Sequence, residues 1–160
     1  MKLNDTDNKL IDLAKEVLQQ NKDLYKGTTN VTIASVVLAK SGKIYKGINI
    51  QTSHSICSEQ VALGQAFACG ERELDTLVAV RLNNDGSMRV ISPCGLCRYT
   101  LEKLGLSNMN VIVEDVDKNK VLKVTVKDLL PYPYKREKFW QIKLWKRILM
   151  KNLSIKWTTY

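Results

Sequence analysis

Histidine is nearly missing from this chain: His54 is its single copy, set beside four cysteines in 160 residues. Two of those cysteines form the Cys-x-x-Cys of Cys94 and Cys97, a pattern that fits metal binding in a reducing compartment better than a disulfide framework. No apolar run reaches the ~20 residues that cross a bilayer. Met1 to Leu10 is polar, carries charges of both signs and lacks the apolar core of a secretory signal. A membrane span is therefore not expected, and the cytoplasm is the expected compartment. There is no internal repeat and no low-complexity tract. Aromatics able to stack on bases are sparse in residues 1–134, which weakens any reading as a polynucleotide binder.

The length suits one domain with a proper core, and 44% apolar residues is ordinary for a globular protein. The formal net charge of +9 is uneven. Residues 135–160 hold eight basic side chains against Glu137 alone, which makes +7 and leaves +2 for residues 1–134. The chain is thus read as a domain over 1–134 and a basic, helical C-terminal extension over 135–160. In that extension Phe139, Ile142, Trp145, Ile148 and Leu149 keep rough helical register among lysines and arginines. Such a tail suits an acidic partner or nucleic acid and says little about the chemistry of the body.

Periodicity places a helix over Asp7 to Gln20, with Asp5, Thr6 or Asp7 as its cap. Val31 to Ala39 and Lys43 to Ile50 read as a hairpin turning at Ser41-Gly42. Ile33 to Leu38 is apolar enough to be a strand covered on both faces. Cys57 to Cys69 reads as a helix of small residues, stopped by Gly70, and Gly95 to Leu104 as another, stopped by Gly105. Thr76 to Leu82, Met88 to Ile91, Val111 to Glu114 and Val121 to Val126 are the remaining strands. Leu129-Leu130-Pro131 ends the body. Helices and strands alternate as in one mixed sheet with helices on both faces, an α/β fold.

Chemistry concentrates in Cys57-Ser58-Glu59 and Pro93-Cys94-Gly95-Leu96-Cys97-Arg98, each at the start of a helical pattern. Cys57, Cys94 and Cys97 would give Zn²⁺ three thiolates and leave the open fourth position of a catalytic site. A carboxylate two positions after the first ligand is where zinc deaminases keep the group that moves protons, so Glu59 is the candidate general acid/base. The alternatives are unmetallated thiols and a glutamate favoured by its helix dipole. Three thiolates leave one excess negative charge, and two helix N-termini and Arg98 are the nearest sources of compensation. Arg98 could equally be a salt-bridge residue. Cys69, twelve residues after Cys57, would lie ~18 Å away along a straight helix, too far to share an ion, and reads as a buried core thiol. His54 reads as a solvent or substrate-rim residue.

Ile33-Ala34-Ser35, Gly42-Lys43-Ile44-Tyr45, Gly47-Ile48-Asn49, Cys57-Ser58-Glu59, Ser92-Pro93-Cys94-Gly95-Leu96-Cys97-Arg98 and Leu129-Leu130-Pro131 together resemble the cytidine deaminase superfamily over about residues 8 to 134. Within it they look more like the blasticidin S deaminase branch than ordinary cytidine deaminases. The resemblance implies a three-layer α/β/α fold around a five-stranded mixed sheet, a homotetramer, and active sites near subunit contacts. It implies zinc at Cys57, Cys94 and Cys97 and a proton shuttle at Glu59. Asn49 matches an asparagine that reaches the sugar, and Thr32 and Tyr134 match substrate-binding positions of the blasticidin S branch. Gln51 stands where cytidine deaminases have a glutamate for a ribose hydroxyl, and its neutral amide loses roughly 1–2 kcal/mol of charge-assisted bonding. Leu96 stands where the blasticidin S branch has an arginine. The expected activity is zinc-dependent hydrolytic deamination of a cytosine-type ring in a small nucleoside, with release of ammonia. The rival expectations are a deaminase of polynucleotides and a catalytically silent zinc-stabilised binding module.

Overall fold

A computed structural model describes residues 2–24, 27, 30–115 and 117–134; the helix expected within 135–160 lies outside these residues. Helix α1 (Asp5–Asn21) is followed by strands β1 (Ile33–Ala39) and β2 (Ile44–Ile48), helix α2 (Ser58–Ala68), strands β3 (Leu74–Leu82) and β4 (Met88–Ile91), helix α3 (Gly95–Lys103), strands β5 (Asn110–Asp115) and β6 (Lys120–Thr125), and the short helix α4 (Val126–Leu129). The cap of α1 is Asn4 and not one of the three expected residues. Asn4 Oδ1 accepts from the Asp7 N–H, and the Asp7 carboxylate accepts from the Asn4 N–H in return. This reciprocal box satisfies two backbone donors at once, which a cap one residue later could not do with Asp7.

The strands form one mixed sheet in the order β2-β1-β3-β5-β6, with β4 also paired to β3. The expected five strands become six because one edge of β3 is shared. Its first part, Thr76 to Val78, pairs with β5 in parallel, while its last part, Ala79 to Leu82, pairs with β4 antiparallel. Five positions across the sheet thus hold six strands. Helix α1 covers one face through Leu10, Ile11, Ala14 and Leu18. On the other face Ala62, Leu63 and Ala66 of α2, Leu101 of α3 and Val126 of α4 meet Val37, Leu77 and Val111. β1 lies inside the sheet between β2 and β3 and is buried from both sides, as its apolar run anticipates.

A close strand–helix contact and a bonded turn fix the two helices that begin near the cysteines. Gly47 of β2 lies directly under α2: a Cβ built there would stand 2.3 Å from the Ser58 carbonyl oxygen and 2.5 Å from the Ala62 nitrogen. Only a glycine lets the helix come this close. Between β3 and β4, the Asn83 N–H donates to the Ser87 carbonyl (2.8 Å), the Asn83 amide donates to Ser87 Oγ (2.9 Å), and Asp85 Oδ1 accepts from both the N–H and the hydroxyl of Ser87 (2.9 and 2.6 Å). Gly86 takes a positive φ of 83° to close this turn. Cys69 departs from expectation. The last buried position of α2 is Ala66, the chain turns away at Gly70, and the Cys69 thiol is exposed.

Candidate metal and active site

Two helix starts converge on one point. Cys57 is the residue before α2, Cys94 the residue before α3, and Cys97 lies in the first turn of α3. The three sulfurs lie within 4.8 Å of one another, with Cys57 and Cys94 at 3.7 Å, and all three cysteines are free. A disulfide would need about 2.05 Å. Three thiolates bound tetrahedrally at about 2.3 Å from zinc would stand about 3.8 Å apart. The donor set and its spacing therefore fit a zinc ion. Cys69 and His54 are not part of the group, and His54 is exposed, with its ring 3.4 Å from Ser53 Oγ.

Burial, the largest influence on Cys94, works against its thiolate. The N–H groups of Cys97 and Leu96 at the start of α3, with the neighbouring thiols, outweigh it and hold Cys94 below the ordinary thiol value. Burial raises Cys57, and its hydrogen bond to Cys94 adds to the rise. Cys97 is pushed furthest up, by burial first and then by the charge of Glu59 and of the other two sulfurs. Three thiols this close resist ionising together, and a divalent cation is the partner that relieves them. Arg98 does not supply the charge at hydrogen-bond range. Its Nε donates to the Pro93 carbonyl (2.7 Å) and its Nη1 to the Leu129 carbonyl (3.3 Å), tying the start of α3 to the end of α4. Both expected roles for Arg98, thiolate partner and salt bridge, give way to this one because two backbone acceptors already lie in reach of its planar fork.

Glu59 is buried in the first turn of α2, and its Oε2 accepts from the Ser58 hydroxyl at 3.1 Å. Ser58 Oγ lies 2.6 Å from Ser35 Oγ of β1. Ser58 has one hydroxyl proton, so with that proton on Glu59 the Ser35 hydroxyl must donate to Ser58. This buried pair escapes a sequence reading because Ser35 and Ser58 are 23 residues apart and each alone looks like an ordinary small residue. It fixes one carboxylate oxygen of a residue that lines the cleft.

That cleft has a volume of about 340 Å³ and is lined by Thr32, Asn49, Gln51, Cys57, Glu59, Arg81 and Cys94, with Ile33, Ile56 and Ile91 as its apolar walls. Six of the eight residues singled out from sequence as catalytic, metal or substrate residues line it, and Cys97 sits beneath, fully buried. Tyr134 does not line it. That residue is exposed, its carbonyl accepts from Lys103 Nζ, and Lys103 stands 5.8 Å above its ring. Asn49 Oδ1 accepts from the N–H groups of Thr32 (2.9 Å) and Ile33 (2.8 Å), and its amide donates to the Asn30 carbonyl (3.2 Å). Its oxygen is fully used, so one N–H remains for any ligand. Asn49→Ala should therefore lower unfolding free energy by about 1–3 kcal/mol, measured by urea denaturation, because two backbone donors lose their acceptor. An unchanged midpoint would show that water replaces the amide freely.

The family model for the cytidine and deoxycytidylate deaminase zinc-binding region matches residues 4–113. The chain belongs to this deaminase family. A blasticidin-S deaminase from Bacillus cereus is 32% identical over 116 residues, 65% of this chain and 77% of the relative. A cytidine deaminase from Sporosarcina psychrophila is 31% identical over 132 residues, 81% of this chain and 91% of the relative. Among solved structures, the cytidine deaminase of Burkholderia pseudomallei superposes with a TM-score of 0.63 at 25% identity, covering 79% of this chain and 98% of that one. The cytidine deaminase of Mycobacterium tuberculosis gives 0.62 at 22% identity, covering 84% and 100%, which shows a shared fold. Deaminases of this family are aminohydrolases, and this member carries a three-cysteine group of zinc-binding geometry. Among its described residues no helix is long and apolar enough to cross a membrane.

Proposed function

We propose that this protein is a zinc-dependent aminohydrolase acting on the cytosine ring of a small nucleoside-type compound such as cytidine, deoxycytidine or blasticidin S. The observation that carries this reading is the meeting of three thiols within 4.8 Å with a buried carboxylate that lines the same cleft. Cys57, Cys94 and Cys97 would hold the ion, which when bound supplies a water acidified toward neutral pH. Glu59 takes a proton from the attacking water and delivers it to the ring nitrogen and then to the departing amine. Ser58 and Ser35 keep Glu59 from rotating between those transfers. Asn49 offers its remaining N–H to the sugar side, and Thr32 and Gln51 line the same end of the cleft. Tyr134, off this chain's cleft, would serve one only across a subunit contact. The expected tetramer is supported by Leu96, Tyr99 and Leu104, apolar side chains left exposed on α3 and its end.

Purified protein should carry one zinc per chain and release ammonia from at least one of those three compounds. Zinc without ammonia from any of them would favour a silent zinc-stabilised module. Release of ammonia only from single-stranded polynucleotide, lost steeply with salt, would favour the polynucleotide reading.

A further inference from the structure

Four arginines fall among the described residues, and three are committed to protein acceptors. Arg72 donates to the carbonyls of Phe67 and Glu71, Arg89 reaches Glu114 at 3.3 Å, and Arg98 holds Pro93 and Leu129. Arg81 is the exception. Its side chain has no hydrogen-bond or ion-pair partner among the described residues, it is exposed, and it lines the cleft that Cys57, Glu59 and Cys94 also line. Strand alternation puts it there. Leu77, on the face of the sheet that α2 and α3 cover, is four residues before Arg81, so both point to the same side. The last residues of β3 extend past the helix starts, and Arg81 stands opposite Ile33 of β1, next to the Asn49 amide that accepts from the Ile33 N–H.

The lining sets the charge at this end of the cleft. Apart from the thiols, its ionisable residues are Glu59 and Arg81, and Gln51 is neutral. Glu59 belongs to the reacting ring, so the sugar end is left with one unbalanced cation. A guanidinium facing a half-enclosed cleft with no acceptor among the described residues is a ready site for an oxyanion, which it can grip with two parallel N–H donors.

We propose that Arg81 is a specificity-determining residue that binds an anionic group, phosphate or carboxylate, on the sugar side of the cytosine compound. The inference rests on the deaminase reading and narrows its substrates from any small cytosine nucleoside-type compound to those with an anionic group on the sugar, nucleotides or sugar carboxylates. The test compares cytidine, cytidine 5′-monophosphate and cytidine 5′-carboxylate as substrates of the zinc-loaded parent, Arg81→Gln and Arg81→Lys, with thermal melting as the check on folding. The parent should show kcat/KM at least tenfold higher for one of the two anionic compounds than for cytidine, and which one identifies the anion. Arg81→Gln should lower that ratio at least tenfold, and Arg81→Lys should keep part of it. A ratio unchanged between parent and Arg81→Gln, or a parent that prefers neutral cytidine, would overturn the proposal. If neither these compounds nor deoxycytidine and blasticidin S release ammonia, the deaminase reading fails, and calorimetry with cytidine and its two anionic derivatives then judges Arg81 separately. A tenfold weaker Kd for an anionic compound in Arg81→Gln, with cytidine binding affected less, would still support the anion site. Equal affinities for the anionic compounds in both proteins would remove it.

Discussion

Glu59→Gln is expected to keep its zinc and its fold while turnover falls by about 10²–10⁴, the usual contribution of a positioned general acid/base. Glutamine is nearly the same size as glutamate. Its amide oxygen can still accept from Ser58 Oγ, so the chain of hydroxyls from Ser35 stays satisfied. What is lost is the group proposed to take a proton from water and return it to nitrogen. Metal content and ammonia release on the same preparation make the check. Equal zinc with a rate equal to the parent's would show that another group moves the proton, and the role given to Glu59 would be wrong. A loss of zinc together with activity would show instead that the carboxylate helps to hold the site.

Gly47→Ala is expected to be the most crowded of the glycine-to-alanine changes in the domain. Its Cβ would have to share space with the Ser58 carbonyl oxygen at 2.3 Å and the Ala62 nitrogen at 2.5 Å, both backbone atoms that cannot rotate aside. Helix α2 must move off β2 or the strand must bend. The cost should reach or exceed the ~3 kcal/mol upper range for overpacked cores. Because Ser58 and Glu59 open α2, the same displacement shifts the carboxylate, so residual folded protein should also turn over slowly. A urea midpoint that falls with an unchanged slope would carry the stability part. A midpoint within error of the parent would mean the helix is seated less rigidly than these distances imply.

Much of this arrangement can be read from residue order, and the exceptions have physical causes. The hairpin at Ser41-Gly42, the buried strand β1 and the two site helices arise from alternation, turn residues and small side chains, which act locally. The meeting of Cys57, Cys94 and Cys97 beside Glu59 is legible in their spacing relative to helix starts. The shared edge of β3 is different in kind. Whether β4 and β5 lie side by side or end to end depends on pairing across the sheet, and nothing within either segment encodes that. Arg98 is legible as a charge near the sulfurs but not as a clasp on Leu129, since its acceptor lies 31 residues away. The apolar character of α2 suggests a buried Cys69, whereas its exposure depends on where that helix stops. Arg81 carries a usable signal, a charge at the end of an apolar strand on the side facing the helices, but only the assembled cleft gives that signal a meaning.

The tightly bonded corner at Asn83, Asp85 and Ser87 has an effect well beyond its own loop. It sets how far β4 has advanced along β3 before the chain leaves through Ser92 and Pro93 to reach Cys94. One step of misalignment there would carry Cys94 about 3.4 Å along the strand direction. That is nearly the whole 3.7 Å that separates it from Cys57. The aim of one thiol is therefore governed by a polar surface corner outside the three-cysteine group, and loosening Asp85 should appear first as weakened zinc retention under the proposed function.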